Sequence, residues 1–264
     1  MSDTLNTVIL GIIEGITEFL PVSSTGHLLI AERWLGERSE LFNVSIQAGA
    51  ILALVLIYWR RLLDLLTRSS EPANRDYLAK LTVAFLITGA GGFLATRLGW
   101  KLPESVLPIA IAFLVGGILI LVIEQYVAGR PLSSEVTWKV AFWVGTCQIL
   151  AAVFPGTSRS ASTIFAAMLA GLTLRPAATE FAFLVGIPTM FAATGYEFLK
   201  WRHQSATEDW NAVIVGFIVS GIVAFIAVKW LLRYVQSHRF TVFAWYRIVV
   251  GAALIAAVAS GAMR

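Results

Sequence analysis

The chain has 264 residues, of which 58% are hydrophobic and only 14% are charged. A soluble globular domain has about 45–50% apolar and about 25% charged residues, so this composition indicates a polytopic membrane protein without a separate soluble domain. The formal charge of +4 is spread over short loops with no basic tract, which argues against nucleic-acid binding, and the single cysteine, Cys147, excludes an internal disulfide.

The first hydrophobic stretch, about residues 4–35, is interrupted in its middle. Residues 11–27 read GIIEGITEFLPVSSTGH, an apolar run that Pro21 breaks and a Ser/Thr cluster follows. Each arm has some 10–18 residues, which is short for a membrane crossing and typical of a re-entrant helix. Irregular backbone survives at membrane depth only where protein buries it or where it lines a cavity. The polar residues of this break are therefore candidates for a functional site.

Uninterrupted apolar segments and a second broken stretch make up the rest of the chain. Three segments of about the 20 residues that a bilayer crossing requires lie near 41–59, 78–98 and 105–127. A second interrupted stretch, about 136–173, precedes three more, near 176–199, 210–232 and 240–262. The prediction is an all-α polytopic membrane protein of about ten helices, with six full transmembrane helices and two re-entrant helix-loop-helix pairs.

The two interrupted stretches resemble each other, which indicates an internal repeat. Pairs that match at a constant offset of 134 residues are Gly11 with Gly145, Glu14 with Gln148, Pro21 with Pro155, and Ser24 with Ser158. One membrane domain would then consist of two halves, approximately 1–132 and 133–264. Because each half holds three full spans, an odd number, the second half is expected to be inverted, with both tips near the midplane.

Loop charge orients this arrangement. If residues 58–80 are cytoplasmic, eleven Lys and Arg residues lie in loops on the cytoplasmic side and seven on the other. This bias agrees with the positive-inside rule and places both chain termini outside.

Two acidic residues precede the first proline break. Glu14 and Glu18 are spaced i, i+4 and so share one helix face. Paired carboxylates at this depth would bind a divalent cation through oxygen ligands, or one of them would stay protonated and act as an acid/base. The alternative is a helix flank that is exposed to lipid headgroups.

Hydroxyl residues and a histidine follow the same break: Ser23, Ser24, Thr25 and His27. A Ser/Thr cluster after a proline commonly caps a helix, and a capped helix end also offers free backbone N–H groups to an anion. His27 is the histidine of this chain that lies inside a hydrophobic segment, which favours a functional role over a structural one.

The second break carries an arginine among hydroxyl residues: Ser158, Arg159, Ser160 and Thr163. An arginine at bilayer depth is costly unless it has a partner. Glu14, Glu18 or a bound phosphate would each supply one, and a guanidinium suits phosphate oxygens. A purely structural ion pair is the alternative. Arg247, in the last span, and Glu180 receive no catalytic role.

These motifs resemble a known family. EGITEFLPVSSTGH at 14–27 and FPGTSRSAST at 154–163 are similar to the two signatures of the bacterial undecaprenyl-diphosphate phosphatase family, also called the bacitracin-resistance family. IQAGAILA near 46–53 and AWYR at 244–247 extend the resemblance along the chain. It implies a multi-pass enzyme of the bacterial inner membrane that removes the terminal phosphate of undecaprenyl diphosphate, recycling a carrier for peptidoglycan and other envelope polymers. It also implies dependence on Mg²⁺ or Ca²⁺ and a periplasmic active site.

The resemblance assigns roles by position. It implies that Glu14 and Glu18 are the family's glutamate pair, and that Arg159 with the hydroxyls of both tips binds the diphosphate. His27 would act as general acid/base and Ser24 as nucleophile or water-orienting hydroxyl. Ala161 departs from the glycine common in this family, with little expected consequence. Ser24, His27 and water stay open as the attacking group.

Two other classes of function remain at this point. A transporter or flippase of a lipid-linked phosphate would use the same midplane site, since inverted repeats with broken helices are a common transporter layout. A membrane scaffold is a weaker reading, because it would not need charged residues in the bilayer. The expected partners are the polyprenyl diphosphate and membrane lipids, and self-association as a homodimer is left open.

Overall fold

The computed structural model of the protein describes residues 3–98, 105–201 and 208–261. Within these ranges the regular structure consists of ten helices. In chain order they are α1 (Asp3–Thr17), α2 (Ser24–Leu35), α3 (Glu40–Thr67), α4 (Pro72–Arg97), α5 (Val106–Ala128), α6 (Trp138–Val153), α7 (Arg159–Ala170), α8 (Arg175–Trp201), α9 (Trp210–Ser237) and α10 (Thr241–Ala259). Six of them, α3, α4, α5, α8, α9 and α10, are long and apolar enough to cross a membrane. The predicted all-α class with six spanning helices is confirmed.

The two predicted interruptions are pairs of short helices, α1 with α2 and α6 with α7. α1 and α2 have 15 and 12 residues, and α6 and α7 have 16 and 12. At 1.5 Å per residue, these arms are roughly 18–24 Å long. The hydrocarbon core of a bilayer is about 30 Å thick, so the arms have the lengths expected of re-entrant pairs.

Each pair turns at a short tip, and in both a serine caps the N-terminus of the second helix. The Ser23 side chain accepts a hydrogen bond from the Gly26 amide at 3.4 Å. The Ser158 side chain accepts one from the Ala161 amide at 3.2 Å. Their φ angles are 75° and 68°, and they are the two non-glycine residues of positive φ in the described part of the chain. Serine rarely adopts this conformation, so both caps are strained in the same way.

The equivalent caps correct the predicted alignment of the two halves. The sequence comparison matches Ser24 with Ser158, but in the structure Ser23 has the conformation and capping role of Ser158. The match of Ser24 with Ser158 is therefore wrong. The second tip has one residue more between its proline and its cap, so the offset rises there from 134 to 135. As a consequence Ser24 and Arg159 are equivalent, because each is the first residue of its helix.

The third span of each half packs against the other along a seam of glycines. A methyl group on Gly117 of α5 would lie 2.7 Å from the carbonyl oxygen of Ala244, and one on Gly251 of α10 would lie 2.9 Å from that of Ala110. Residue 117 thus meets residue 244, whereas the earlier residue 110 meets the later residue 251. The two helices therefore run antiparallel. Antiparallel packing of matching helices is what an inverted repeat requires. The repeat boundary near residue 132 stays a prediction.

α7 lies at the centre of the bundle. Eight of its 12 residues are buried, and it packs against α5, α6 and α8. Ile164 and Phe165 belong to the largest buried apolar cluster, which also includes Phe19 of the first tip and Phe183 of α8. The last two rings meet edge to face, with centroids 5.3 Å apart. This core fixes the start of α7 and, with it, the backbone of Arg159.

We expect Gly251→Ala to destabilise the protein relative to Gly89→Ala. Both substitutions bring about the same gain in helix propensity, about 1 kcal/mol. At Gly251 the new methyl group would lie 2.7 Å from the Leu114 amide nitrogen, whereas at Gly89 it would meet nothing within 4 Å. Overpacking costs about 1–3 kcal/mol. Thermal unfolding in detergent measures the difference, and equal midpoints for the two variants would contradict the glycine seam.

Candidate active site

An ion pair joins the tips of the two re-entrant pairs. Arg159 Nη2 donates to Glu18 Oε1 at 2.8 Å, and the side chains are 18% and 6% exposed. The other carboxylate oxygen, Oε2, accepts a hydrogen bond from the Ser24 hydroxyl. One buried carboxylate therefore holds the first residues of α2 and α7 together.

The guanidinium of Arg159 is accommodated by a glycine of α8. A methyl group on Gly186 would lie 2.4 Å from Arg159 Nη1. Nη1 is itself buried and has no hydrogen-bond partner among the described residues. One side of the guanidinium is thus engaged by Glu18, and the other is enclosed against α8 without a hydrogen-bond partner among the described residues.

A cavity of about 440 Å³ opens beside this ion pair. One end is polar and is formed by both tips: Glu18, Ser23, Ser24, Thr25, Ser158 and Arg159. The rest of the cavity is lined by residues of α3, α4, α6 and α8: Gln47, Thr88, Gln148, Ala151, Thr189, Met190, Ala193 and Glu197. α2 and α7 both begin at the polar end, so their unpaired N-terminal amides add positive potential to that of Arg159. The polar end is suited to bind an anion.

A second arginine holds the backbone of both tips. Arg247 of α10 is 0% exposed. Its Nη2 donates to the carbonyl oxygens of Ala112 at 2.8 Å and Gly156 at 2.9 Å. Its Nη1 lies 3.4 Å from the carbonyl oxygens of Pro21 and Thr157. Arg247 therefore does not snorkel toward the membrane surface, and it fixes the relative position of the two strained turns.

His27 is held outside the cavity. Its Nδ1 lies 2.7 Å from the Ser23 carbonyl oxygen, and its Nε2 lies 2.6 Å from the Tyr246 hydroxyl. The ring also stacks on Tyr246, with centroids 5.7 Å apart, and contacts Phe113. Both ring nitrogens are thus engaged. The geometry makes His27 a support for the Ser23 cap rather than a group that faces the ion pair.

Three further predicted site residues also lie outside the cavity lining. Glu14 is 0% exposed, and neither of its carboxylate oxygens has a hydrogen-bond partner among the described residues. The Ser160 hydroxyl donates to the Leu20 carbonyl oxygen at 2.9 Å and so links the two tips. The Thr163 hydroxyl donates within its own helix, to the Arg159 and Ser160 carbonyl oxygens, and its place in the diphosphate site stays a prediction.

The remaining six predicted residues are brought together at the polar end of the cavity, as described above. Sequence reasoning missed the structural parts played by Arg247, by Gly186 and by Gln148, whose Nε2 donates to Thr189 Oγ1 of α8 at 2.8 Å. A signal existed for two of them, since Arg247 is a charge inside an apolar span and Gln148 matches Glu14 in the repeat. Gly186 carries no signal of its own, because its importance depends on a side chain from another helix.

Fold and site together define a polytopic membrane protein in which an arginine, a carboxylate and several hydroxyls line one cavity between two re-entrant tips. The family model described as Bacitracin resistance protein BacA matches residues 7–253, and the chain belongs to this family. It is 60% identical over 261 residues to the undecaprenyl-diphosphatase of Rhizobium etli, covering 98% of each chain. It is 56% identical over 257 residues to the undecaprenyl-diphosphatase of Xanthomonas euvesicatoria, covering 97% of each chain.

We expect Arg247→Met to loosen both tips. Hydrogen bonds to a charged donor contribute about 1.5–3 kcal/mol each. The substitution removes the hydrogen bonds from Arg247 and leaves their carbonyl acceptors without a donor. The free energy of unfolding should therefore fall by about 2–4 kcal/mol. Hydrogen exchange should rise at 19–22 and 154–158. Arg239→Met, at an exposed position, is the matched control and should change neither quantity. Unchanged exchange at the tips of Arg247→Met would show that other contacts hold them.

Proposed function

We propose that the protein is an integral membrane phosphatase that hydrolyses undecaprenyl diphosphate to undecaprenyl phosphate and inorganic phosphate. Relatives that match it over nearly their whole length are named undecaprenyl-diphosphatase, which supports this proposal. The observation that carries it is the buried carboxylate of Glu18, which contacts both the Ser24 hydroxyl and the Arg159 guanidinium. One cavity thereby holds the Ser24 hydroxyl, the Glu18 carboxylate as a base, and the Arg159 guanidinium, whose positive charge suits phosphate oxygens.

The diphosphate would bind at the polar end of the cavity. The Arg159 side chain lines this end and is 18% exposed, and its guanidinium would bind a phosphate oxygen. The hydroxyls of Thr25 and Ser158 line the same end and would add hydrogen bonds. The N-terminal amides of α2 and α7 would stabilise negative charge that develops on the transferred phosphoryl group. These groups are fixed by the core before the substrate arrives.

Ser24 is the nucleophile that the geometry favours. Its hydroxyl would attack the terminal phosphorus while Glu18 accepts the hydroxyl proton, and the bond from phosphorus to the bridging oxygen breaks as undecaprenyl phosphate leaves. Water would then cleave the phosphoserine to release inorganic phosphate. His27 would position the Ser23–Ser24 backbone through its contact with the Ser23 carbonyl oxygen. This differs from the general acid/base role that the resemblance implies.

The carboxylate pair fits a divalent cation, Mg²⁺ or Ca²⁺, as part of this proposal. Both oxygens of Glu14 are buried and unpartnered in the described part of the chain, and an uncompensated buried carboxylate is costly. Glu18 lies one helical turn further on. Glu14 and Glu18 would hold the ion with oxygens of hydroxyls, water or phosphate completing its coordination. When bound, the cation would neutralise part of the charge on the diphosphate.

We place the enzyme in the bacterial inner membrane with its cavity open to the periplasm. The cavity includes Glu197, near the end of α8, on the side that the loop charges assign to the outside. In this position the enzyme would return the lipid carrier to peptidoglycan and envelope synthesis. Rapid recycling of the diphosphate would also account for bacitracin resistance, the property after which the family is named.

Phosphate release from purified protein tests the function. We expect wild-type protein to release phosphate from undecaprenyl diphosphate, and Arg159→Gln and Ser24→Ala to lose activity by about a hundredfold or more. With radiolabelled substrate, label should be trapped on wild-type protein and not on Ser24→Ala. Full activity of Ser24→Ala would eliminate the serine nucleophile. No release by wild-type protein, with headgroup binding intact, would favour a transporter.

We expect Gly186→Ala to lower activity. The new methyl group would displace the Arg159 guanidinium, which is the end of a flexible side chain and can move aside. A misplaced transition-state contact costs about tenfold to a hundredfold in kcat/KM. Gly195→Ala on the same helix meets nothing within 4 Å and is the matched control. Equal kcat/KM for the two variants would contradict the role of Gly186.

A further inference from the structure

The guanidinium of Arg159 has a hydrogen-bond donor that its ion pair does not use. Nη2 donates to Glu18, whereas Nη1 is enclosed beside Gly186 of α8 and has no partner among the described residues. A buried donor without an acceptor loses its hydration and gains nothing in exchange. An acceptor within reach of this turn of α8 would therefore stabilise the guanidinium in the orientation that it has.

An acceptor without a donor lies beside the same turn. Gln148 of α6 is 3% exposed and lines the cavity, and its Oε1 is buried without a partner in the described part of the chain. Its Nε2 donates to Thr189 Oγ1 at 2.8 Å. Gly186 and Thr189 are three residues apart on α8 and so lie on one face of this helix. Arg159 Nη1 and Gln148 Oε1 therefore border a single turn of α8.

The orientation of the Gln148 amide is fixed by Thr189. The Thr189 hydroxyl donates its one proton to the Val185 carbonyl oxygen, so its oxygen can only accept a hydrogen bond from Gln148. The amide nitrogen must therefore face Thr189, and the amide oxygen cannot take its place. As a result, Gln148 offers an acceptor to its other neighbours, which is what Arg159 Nη1 lacks.

The repeat shows why an amide suits this position. Gln148 matches Glu14 of the first half at the offset of 134 residues. A carboxylate at 148 would be a second negative charge near Arg159, in addition to Glu18, and would offset the charge that attracts a diphosphate. A neutral amide supplies the acceptor and leaves that charge in place.

We propose that Gln148 is a positioning residue for Arg159, with its Oε1 as the second acceptor of the guanidinium. The inference rests on the proposed function, in which Arg159 binds the diphosphate. Gln148 would act through Arg159, and Thr189 would hold the amide in the orientation that this requires. Held by Glu18 on one side and Gln148 on the other, the guanidinium keeps one direction toward the transferred phosphoryl group.

Removing the acceptor tests the positioning role. Methionine has a length similar to that of glutamine but offers no amide oxygen. We expect Gln148→Met to lower kcat for undecaprenyl diphosphate by about tenfold and to change KM by less than about twofold, because the arginine keeps its charge and loses its orientation. Thr146→Val is the matched control on α6, since the Thr146 hydroxyl donates to Phe142 of the same helix, and it should change neither constant by more than about twofold.

Adding a charge at the same position should have a different effect. Gln148→Glu keeps the shape of the side chain and introduces a carboxylate near Arg159. We expect the Kd of inorganic pyrophosphate, measured by calorimetry, to rise by about tenfold or more in Gln148→Glu and by less than about threefold in Gln148→Met. A purely structural role for Gln148 would not separate kcat from anion affinity in this way.

The link through Thr189 provides an independent test. Thr189→Val removes the hydroxyl that orients the amide, so we expect it to lower kcat in the direction of Gln148→Met. Combined with Gln148→Met, it should cause no further loss, because the amide through which it acts is then absent. Thermal unfolding in detergent checks that each variant is folded.

The outcomes separate the role of Gln148 from the function. Wild-type kcat in Gln148→Met, or wild-type pyrophosphate affinity in Gln148→Glu, would show that Gln148 does not act on Arg159. Losses that multiply when Thr189→Val and Gln148→Met are combined would also contradict the proposal. If wild-type protein releases no phosphate from undecaprenyl diphosphate, the proposed function itself fails, and the pyrophosphate comparison still decides whether Gln148 supports the Arg159 site.

Discussion

The ion pair between Arg159 and Glu18 is the interaction on which the site depends. It joins two helix–turn–helix tips that are separated by more than half of the chain, and each partner would be costly to bury alone. Pairing removes part of this cost. The pair uses only part of the guanidinium, and the carboxylate has a second contact. The carboxylate also accepts a hydrogen bond from Ser24, and the Arg159 side chain lines the cavity. The same pair thus stabilises the fold and prepares it for an anion.

The strained caps explain why the tips need so much support. Ser23 and Ser158 have positive φ, a conformation that costs of order 1–3 kcal/mol at each site. Arg247 offsets this by donating to carbonyl oxygens beside both turns, and His27 contacts the Ser23 carbonyl oxygen. The positive-φ backbone of the two caps orients the first residues of α2 and α7 toward one cavity. The two halves have kept this backbone and have diverged in the side chains that it presents.

Much of the architecture could be predicted from local sequence, because apolar length, proline breaks and capping serines are local signals. The six spans, the four short arms and the residues of both tips follow from them. The orientation of His27 could not be predicted, since it depends on Tyr246, which is 219 residues away. The extra residue in the second tip was also missed, because a sequence offset alone does not locate an insertion. Packing between distant helices, as at Gly186, leaves no local pattern.

A double-mutant cycle on the ion pair tests the central claim most directly. The binding of inorganic pyrophosphate would be measured by calorimetry for wild-type protein, Glu18→Gln, Arg159→Gln and the double variant. If the pair forms one anion site from two tips, the two substitutions are coupled by about 1–3 kcal/mol in binding free energy. Additive effects within about 0.5 kcal/mol would show that the residues act independently and would contradict the account.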